Sequence, residues 1–233
     1  MKHPETPLIV NKTLKEQVYE YLRDAMRRGE LKPGSVLDLD MTVKQLGVSK
    51  TPLRDALLQL HAEVFVVILP RRGVIVSGLS LKDIRQIYEI IGALESATLI
   101  HVFDKLRPED HDSLERIVAE MREALGREDY DLYFRKNLEY HRLFLNLSEN
   151  EMLKKSIETF RLRLDDFPRR TWIKEWEEAL IEEHVEITRL IKAGKKKQAA
   201  DYLRDVHWSF EKQKPFVVRF YDLSPEPGHH HRA

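Results

Sequence analysis

The 233-residue chain has no cysteine. That excludes disulfide scaffolds, Cys-ligated zinc fingers and thiol catalysis. No apolar run approaches the ~18–20 residues that cross a bilayer, and the opening stretch MKHPETPLIV lacks the apolar segment and cleavage site of a signal peptide. Net charge is absent as well, with 39 Lys+Arg against 39 Asp+Glu. There is no His-Glu-x-x-His zinc motif, no Gly-rich phosphate loop, no nucleophile motif and no positioned acid–base pair. What is present is 42% hydrophobic and 33% charged residues, enough apolar material for a core. A cytoplasmic protein with no membrane partner is expected.

The zero charge averages two unlike segments. Residues 1–79 hold 12 Lys+Arg and 9 Asp+Glu, a net +3, so the remainder carries −3. A mildly basic front on an acidic rear fits DNA binding confined to one end.

Apolar residues at Leu14, Val18, Tyr21, Leu22, Ala25 and Met26 predict a helix over Lys12 to Arg28 that Gly29 closes. Leu31-Lys32-Pro33-Gly34 is a turn signal, and a short segment follows from Asp40 to Leu46. After Gly47-Val48, Ser49 is placed to cap a helix over Lys50 to Ala62, with Pro52 tolerated in its first turn. Val64 to Leu69, the turn Pro70-Arg71-Arg72-Gly73, and Val74-Ile75-Val76 predict a β-hairpin. Helix, helix, tight turn, helix, hairpin is the layout of a winged helix-turn-helix. From Leu81 on, about six amphipathic stripes joined by short polar links predict an antiparallel all-helical bundle. One of these stripes runs through Ala199 to Phe210. The expected fold is therefore mainly α, in three parts: a winged helix-turn-helix over residues 1–78, a helical domain over 79–223, and a disordered Pro/Gly/His-rich tail over 224–233. Ser77-Gly78 is the natural hinge.

A recognition helix places its first turns at base edges in the major groove. Ser49 and Thr51 suit phosphate or base hydrogen bonds, Lys50 and Arg54 share a face, and Arg71 and Arg72 at the hairpin tip suit a wing. Arg54 can fork onto guanine, whereas Lys50 offers a point charge. In the rear half, Asn137 and His141 lie one turn apart, and His184 and His207 sit within two later apolar stripes. Spacing alone leaves two readings open, satisfied core histidines or ligands converging on one ion. His3, His61, His101 and His111 stand alone, and His229-His230-His231 in the tail says nothing about function.

The ordered run Leu22-Arg23…Gly29-Glu30-Leu31-Lys32-Pro33-Gly34, Leu46-Gly47-Val48-Ser49-Lys50-Thr51-Pro52-Leu53-Arg54-Asp55-Ala56-Leu57, Leu60 and Pro70-Arg71-Arg72-Gly73-Val74 resembles the winged-helix domain of the GntR family of bacterial transcription regulators. The resemblance implies operator contacts from Ser49, Lys50, Thr51, Arg54, Arg72 and Gly73. Residues ~80–215 resemble the helical FCD effector domain of the FadR-type branch. Its carriers are Tyr88-Glu89…Ala93-Leu94-Glu95, Asn137-x-x-Tyr140-His141-x-x-Phe144, Asn150, Glu183-His184-x-x-Ile187…Ile191-x-x-Gly194, Ala199-Ala200 and Leu203-x-x-x-His207. By this resemblance an Asp or Asn and three His, here Asn137, His141, His184 and His207, hold a divalent ion such as Zn²⁺ or Ni²⁺. A small carboxylate effector would then fill its open positions.

The chain departs from the family pattern in four places. Lys50 stands where Arg is usual, Asp40-Met41-Thr42-Val43 lacks the usual Leu-Ala pair, and Val64 occupies a position normally held by Gly. The Arg usual three residues before the Ala-Leu-Glu ending is missing from Ile90-Ile91-Gly92, so a carboxylate would rely on the metal alone or on Arg161 or Arg163. The resulting expectation is a homodimeric, metabolite-responsive regulator, a repressor, binding a palindromic operator in double-stranded DNA. The alternative is a metal-dependent enzyme acting on a small carboxylate in the helical domain.

Overall fold

The computed structural model describes residues 12–165, 172–221 and 223. The tail 224–233 with its histidines lies outside the described residues. The chain divides after Gly78 into two units.

In the first unit, α1 (Leu14–Arg27) starts at a capping box. Thr13 accepts the backbone N–H of Glu16, and the Glu16 carboxylate accepts the Thr13 backbone N–H. Such a cap contributes about 1 kcal/mol. The helix buries Val18, Leu22, Ala25 and Met26 and packs on α3 (Lys50–Ala62), which buries Leu53, Ala56, Leu57 and Leu60. Between them lies α2 (Leu39–Leu46), capped by Asp38 and ended by Gly47 at φ 64. Ser49 is the N-cap of α3, yet its hydroxyl makes no capping bond.

The hairpin of β2 (Val66–Leu69) and β3 (Gly73–Val76) pairs Val66 with Val76 and Leu69 with Gly73. A third strand extends the expected hairpin to a three-stranded antiparallel sheet. This is β1 (Val36–Leu37), paired to β3 through Val36–Ile75 and Leu37–Val74, giving the order β1-β3-β2. Two residues are too few to show an alternation in sequence, so β1 was hidden in the apparent loop after Pro33.

The expected strand start at Val64 is instead the end of α3. Val64 takes φ 65, its N–H donates to His61 O at 3.0 Å, and the Phe65 N–H donates to Leu60 O at 2.8 Å. This is a Schellman closure with a β-branched residue where glycine costs least. The side chain is 59% exposed and gains little packing in return. Val64→Gly should therefore raise stability by about 1 kcal/mol, the strain of a non-glycine left-handed residue less the added freedom of the unfolded glycine. Thermal or urea unfolding of the variant checks this. A lowered midpoint would mean that the valine side chain contributes packing that its exposure does not suggest.

The second unit is all-helical and contains α4 (Leu81–Val102), α5 (Pro108–Gly126), α6 (Tyr130–Leu145), α7 (Glu151–Asp165), α8 (Lys174–Lys192), α9 (Lys196–Tyr202) and α10 (Phe210–Phe220). Helix α5 packs along α6 and α8, while α4 packs along α6 and α9. Ile84, Ile91, Leu99, Leu114, Ile117, Met121, Phe144, Ile181 and Ile187 fill the interior. None of the described helices is long and apolar enough to cross a membrane.

The stripe Ala199 to Phe210 is not one helix. After α9 the chain widens into a π turn over Leu203–His207, closed by the Trp208 N–H donating to Leu203 O at 3.0 Å, and α10 begins afresh at Phe210. A close crossing accompanies the turn. A Cβ on Gly92 would come within 2.8 Å of the Trp208 Cβ, so only glycine lets α4 pass the π turn at this distance. Single-turn π segments shift the register of every later side chain and often mark functional sites.

Candidate metal centre and nucleic-acid interface

On the first unit, Ser49, Lys50, Thr51 and Arg54 are all exposed on the leading turns of α3. Arg54 makes no ion pair among the described residues. Lys50 is held by Asp40, Nζ to Oδ1 at 2.8 Å, an ion pair exposed on both sides and so of small worth to stability. Arg71 and Arg72 are exposed at the wing tip, Arg71 at φ 61 and Gly73 at φ 94. The unit thus presents three guanidinium groups without a described ion-pair partner, two hydroxyls and one tethered ammonium on α3 and the wing.

The second unit brings the three histidines together. His141 comes from α6, His184 from α8 and His207 from the π turn, and all are buried. One ligand nitrogen from each lies within 4.8 Å of the others. Their Nδ1 atoms are all engaged outward. His141 Nδ1–H donates to Glu95 Oε2 (2.8 Å), His184 Nδ1–H to Leu180 O (2.6 Å) and His207 Nδ1–H to Glu183 Oε2 (2.9 Å). With the proton fixed on Nδ1, each Nε2 keeps its lone pair. Burial holds His141 far down, to about 3, an effect to which the Arg161 charge adds and which Glu95 opposes. Burial also lowers His184, reinforced by His207 and His141.

Two facts test whether a cation fits. The Nε2 atoms of His141 and His184 face each other at 3.3 Å with no proton to share, a repulsion that a cation between them would turn into attraction. Asn137, one turn before His141 on α6, buries an Oδ1 with no hydrogen-bond partner among the described residues. The three imidazoles form a donor set for a first-row divalent ion, and the orphaned amide oxygen lies one turn away on the same stripe of α6.

Around the imidazoles lies a shell of polar groups, Arg161 among them. Glu95 on α4 is fully buried and accepts from His141, from Arg161 Nε (3.2 Å) and Nη2 (2.6 Å), and from Trp208 Nε1 (2.9 Å). Burial would raise the Glu95 carboxyl, but Arg161 and His141 hold it far below the usual carboxylate range. The Arg161 guanidinium also lies over the Trp208 ring at 5.3 Å. Glu183, adjacent to His184 in sequence, turns instead to His207 and is joined by Gln213 Nε2 (3.1 Å). Gln213 in turn accepts from Trp176 Nε1 at 2.6 Å. Tyr133, one turn before Asn137, buries its hydroxyl near the buried Glu177, and that burial and carboxylate push its pKa well up. Arg163 is buried in α7 and partnered. Glu95 did leave a sign in the sequence, as a carboxylate in register with the apolar stripe Ile84, Ile87, Ile91, Leu99 and Val102.

A model of the FCD domain matches residues 86–206, more than half of the chain, and a model of the bacterial regulatory proteins of the gntR family matches residues 14–76. The chain belongs to the GntR family, in its FadR-type branch with an FCD domain. It is 31% identical over 144 residues to YdhC, an uncharacterized HTH-type transcriptional regulator of Bacillus subtilis, across 61% of this chain and 64% of that protein. The chain thus spans just under two thirds of that relative's length. It is 24% identical over 161 residues to the HTH-type transcriptional repressor RspR of Escherichia coli, across 69% of this chain and 71% of the repressor. The solved structure of E. coli McbR/YncC superposes with a TM-score of 0.68 at 21% identity, over 90% of this chain and 99% of that one, and shares the fold. The family and these relatives are transcription regulators, not enzymes, which leaves the alternative of a metal-dependent enzyme acting on a small carboxylate without support. FCD domains often bind metals, and this GntR-family chain has the histidine group for one.

Proposed function

We propose that this GntR-family protein is a homodimeric, cytoplasmic, metabolite-responsive repressor. Its winged unit binds double-stranded operator DNA through Ser49, Lys50, Thr51, Arg54, Arg71, Arg72 and Gly73. Its helical unit senses a small carboxylate through a divalent ion such as Zn²⁺ or Ni²⁺ held by Asn137, His141, His184 and His207. The observation that carries the reading is the convergence of three buried imidazoles whose Nδ1 protons are each held by a carboxylate or carbonyl oxygen, with an unpartnered Asn137 Oδ1 one turn from His141.

Bound there, the ion supplies localised positive charge and open coordination positions able to take a carboxylate oxygen. The residues do the rest. Glu95 and Glu183 orient two rings, and Tyr133 and Asn137 offer polar atoms along one stripe of α6. Arg161 is already committed to Glu95, so the anion relies on the metal rather than on that guanidinium. The effector controls transcription only through a difference in its affinity for the DNA-competent and DNA-incompetent arrangements of the dimer, with Ser77-Gly78 as the hinge.

The test uses the full chain with His229, His230 and His231 replaced by alanine, so that the tail cannot contribute metal. Elemental analysis of protein purified without chelator should give about one ion per chain, in line with a single closed donor set. Protein that arrives empty and takes up neither Zn²⁺ nor Ni²⁺ would end this reading.

A further inference from the structure

Glu95 and Arg161 form a buried ion pair at the edge of the histidine cluster, and its two charges bear on the cluster in opposite senses. The Glu95 carboxylate holds the His141 Nδ1–H at 2.8 Å, fixing the ring so that Nε2 faces inward. A carboxylate behind an imidazole raises the basicity of the far nitrogen. Arg161 grips the other oxygen of the same carboxylate through Nε and Nη2 and lies over Trp208, whose indole donates to Glu95 as well. Four N–H donors from three elements other than α4 thus surround one carboxylate that is fully removed from solvent. Arg161 is thus one carboxylate away from the His141 ring, near enough for its charge to be felt at the cluster.

We propose, resting on the metal reading above, that the Glu95–Arg161 pair sets the charge of the centre. Glu95 positions His141 for the ion, and Arg161 cancels the Glu95 charge so that the loaded centre keeps positive charge to hold an anion. The accounting covers the charged groups hydrogen-bonded to the cluster and their direct ion-pair partners. Three neutral imidazoles and a neutral Asn137 leave the ion's two charges untouched, Glu95 and Arg161 cancel, and Glu183 supplies one negative charge. A surplus of about one positive charge remains, in a setting dry enough for it to be felt. Glu95 without Arg161 would nearly neutralise the centre, giving tighter metal and a weaker anion. Neither residue is a ligand, and both act through His141 and the field.

Two single substitutions separate this role from a structural one, because each breaks the same ion pair and so lowers the melting temperature of the metal-free protein. Their effects on the metal should have opposite signs. In the full chain with the tail histidines replaced, Ni²⁺ and Zn²⁺ affinities are measured by competition with a chromophoric chelator, and the Co²⁺ absorption spectrum is recorded. Arg161→Met should bind metal at least about threefold more tightly, with the repelling cation gone. Glu95→Gln should bind it about 10–100-fold more weakly and alter the Co²⁺ spectrum, because an amide behind His141 no longer enforces the Nδ1–H tautomer. Arg161→Lys, which keeps the charge but loses the two-pronged grip and the stacking on Trp208, should bind metal more weakly than Arg161→Met. Both non-conservative variants weakening the metal together, or neither changing it, would overturn the proposal. Should either single variant not fold, the double variant Glu95→Gln/Arg161→Met leaves no charge buried alone. It should still bind metal at least about fivefold below the parent, and parental affinity there would overturn the proposal equally. A parent that binds no metal would instead refute the underlying reading, so the two failures are distinct.

Discussion

Arg54→Ala should lower affinity for the preferred operator by about 100-fold or more while leaving the helical unit folded and its metal content unchanged. Loss of a bidentate guanine contact costs about 1–3 kcal/mol, and loss of a charge near the phosphates adds to it. The position explains why this residue outranks its neighbours. Arg54 is one turn into α3, exposed, and makes no ion pair among the described residues, so its fork is free. Lys50 sits at the tip of the same face but is engaged by Asp40 at 2.8 Å, and that exposed pair has to open before Lys50 meets DNA. Lys50→Ala should accordingly cost about tenfold or less, chiefly as a change in salt slope rather than in base preference. The measurement uses duplexes enriched from a random pool by the parent protein, titrated at several salt concentrations, with circular dichroism to confirm folding. Parental affinity and base preference in the Arg54 variant would remove α3 as the reading element.

The first unit was legible because its signals are local. The stripe Val18, Leu22, Ala25 and Met26, the cap at Ser49 and the Pro70–Gly73 turn each declare an element within a few residues, and the structure places elements at each. Val64 misread as a strand start for a physical reason. β-branched residues favour strands, and nothing local announces that α3 needs one more residue in the left-handed region to close. The helical unit was legible in its stripes and in the residues that face inward, His141, His184 and His207 among them. His184 bonds its own helix at Leu180 O, but the partners of His141 and His207 were not legible, because each contact spans a long stretch of chain: Glu95 to His141 and Glu183 to His207, with Arg161 on Glu95 and Gln213 on Glu183 behind them. The π turn also escaped, since the contact that accompanies it, the bare Gly92 backbone passing Trp208, joins residues more than a hundred apart in sequence.

His184→Ala should take the metal from about one ion per chain to almost none, while operator affinity measured without effector changes by no more than about threefold. The reason for choosing His184 lies in the apo protein. Replacing a large buried side chain by alanine ordinarily costs about 2–5 kcal/mol, through lost packing and a cavity. His184 packs edge-on against Tyr140 at 4.5 Å, so part of that cost is real. Yet the same change removes the lone-pair opposition between Nε2 of His184 and Nε2 of His141 at 3.3 Å, and Leu180 O loses only a second donor. The metal-free variant should therefore be destabilised at the low end of that range. The parent, by contrast, should gain melting temperature with added Zn²⁺ or Ni²⁺, because an ion that binds only the folded chain stabilises it by mass action. Melting curves of both proteins with and without ion separate the cases. A metal-dependent rise in the parent that vanishes in His184→Ala assigns the ion to the cluster. An equal rise in both would place the ion elsewhere and return the three imidazoles to the core.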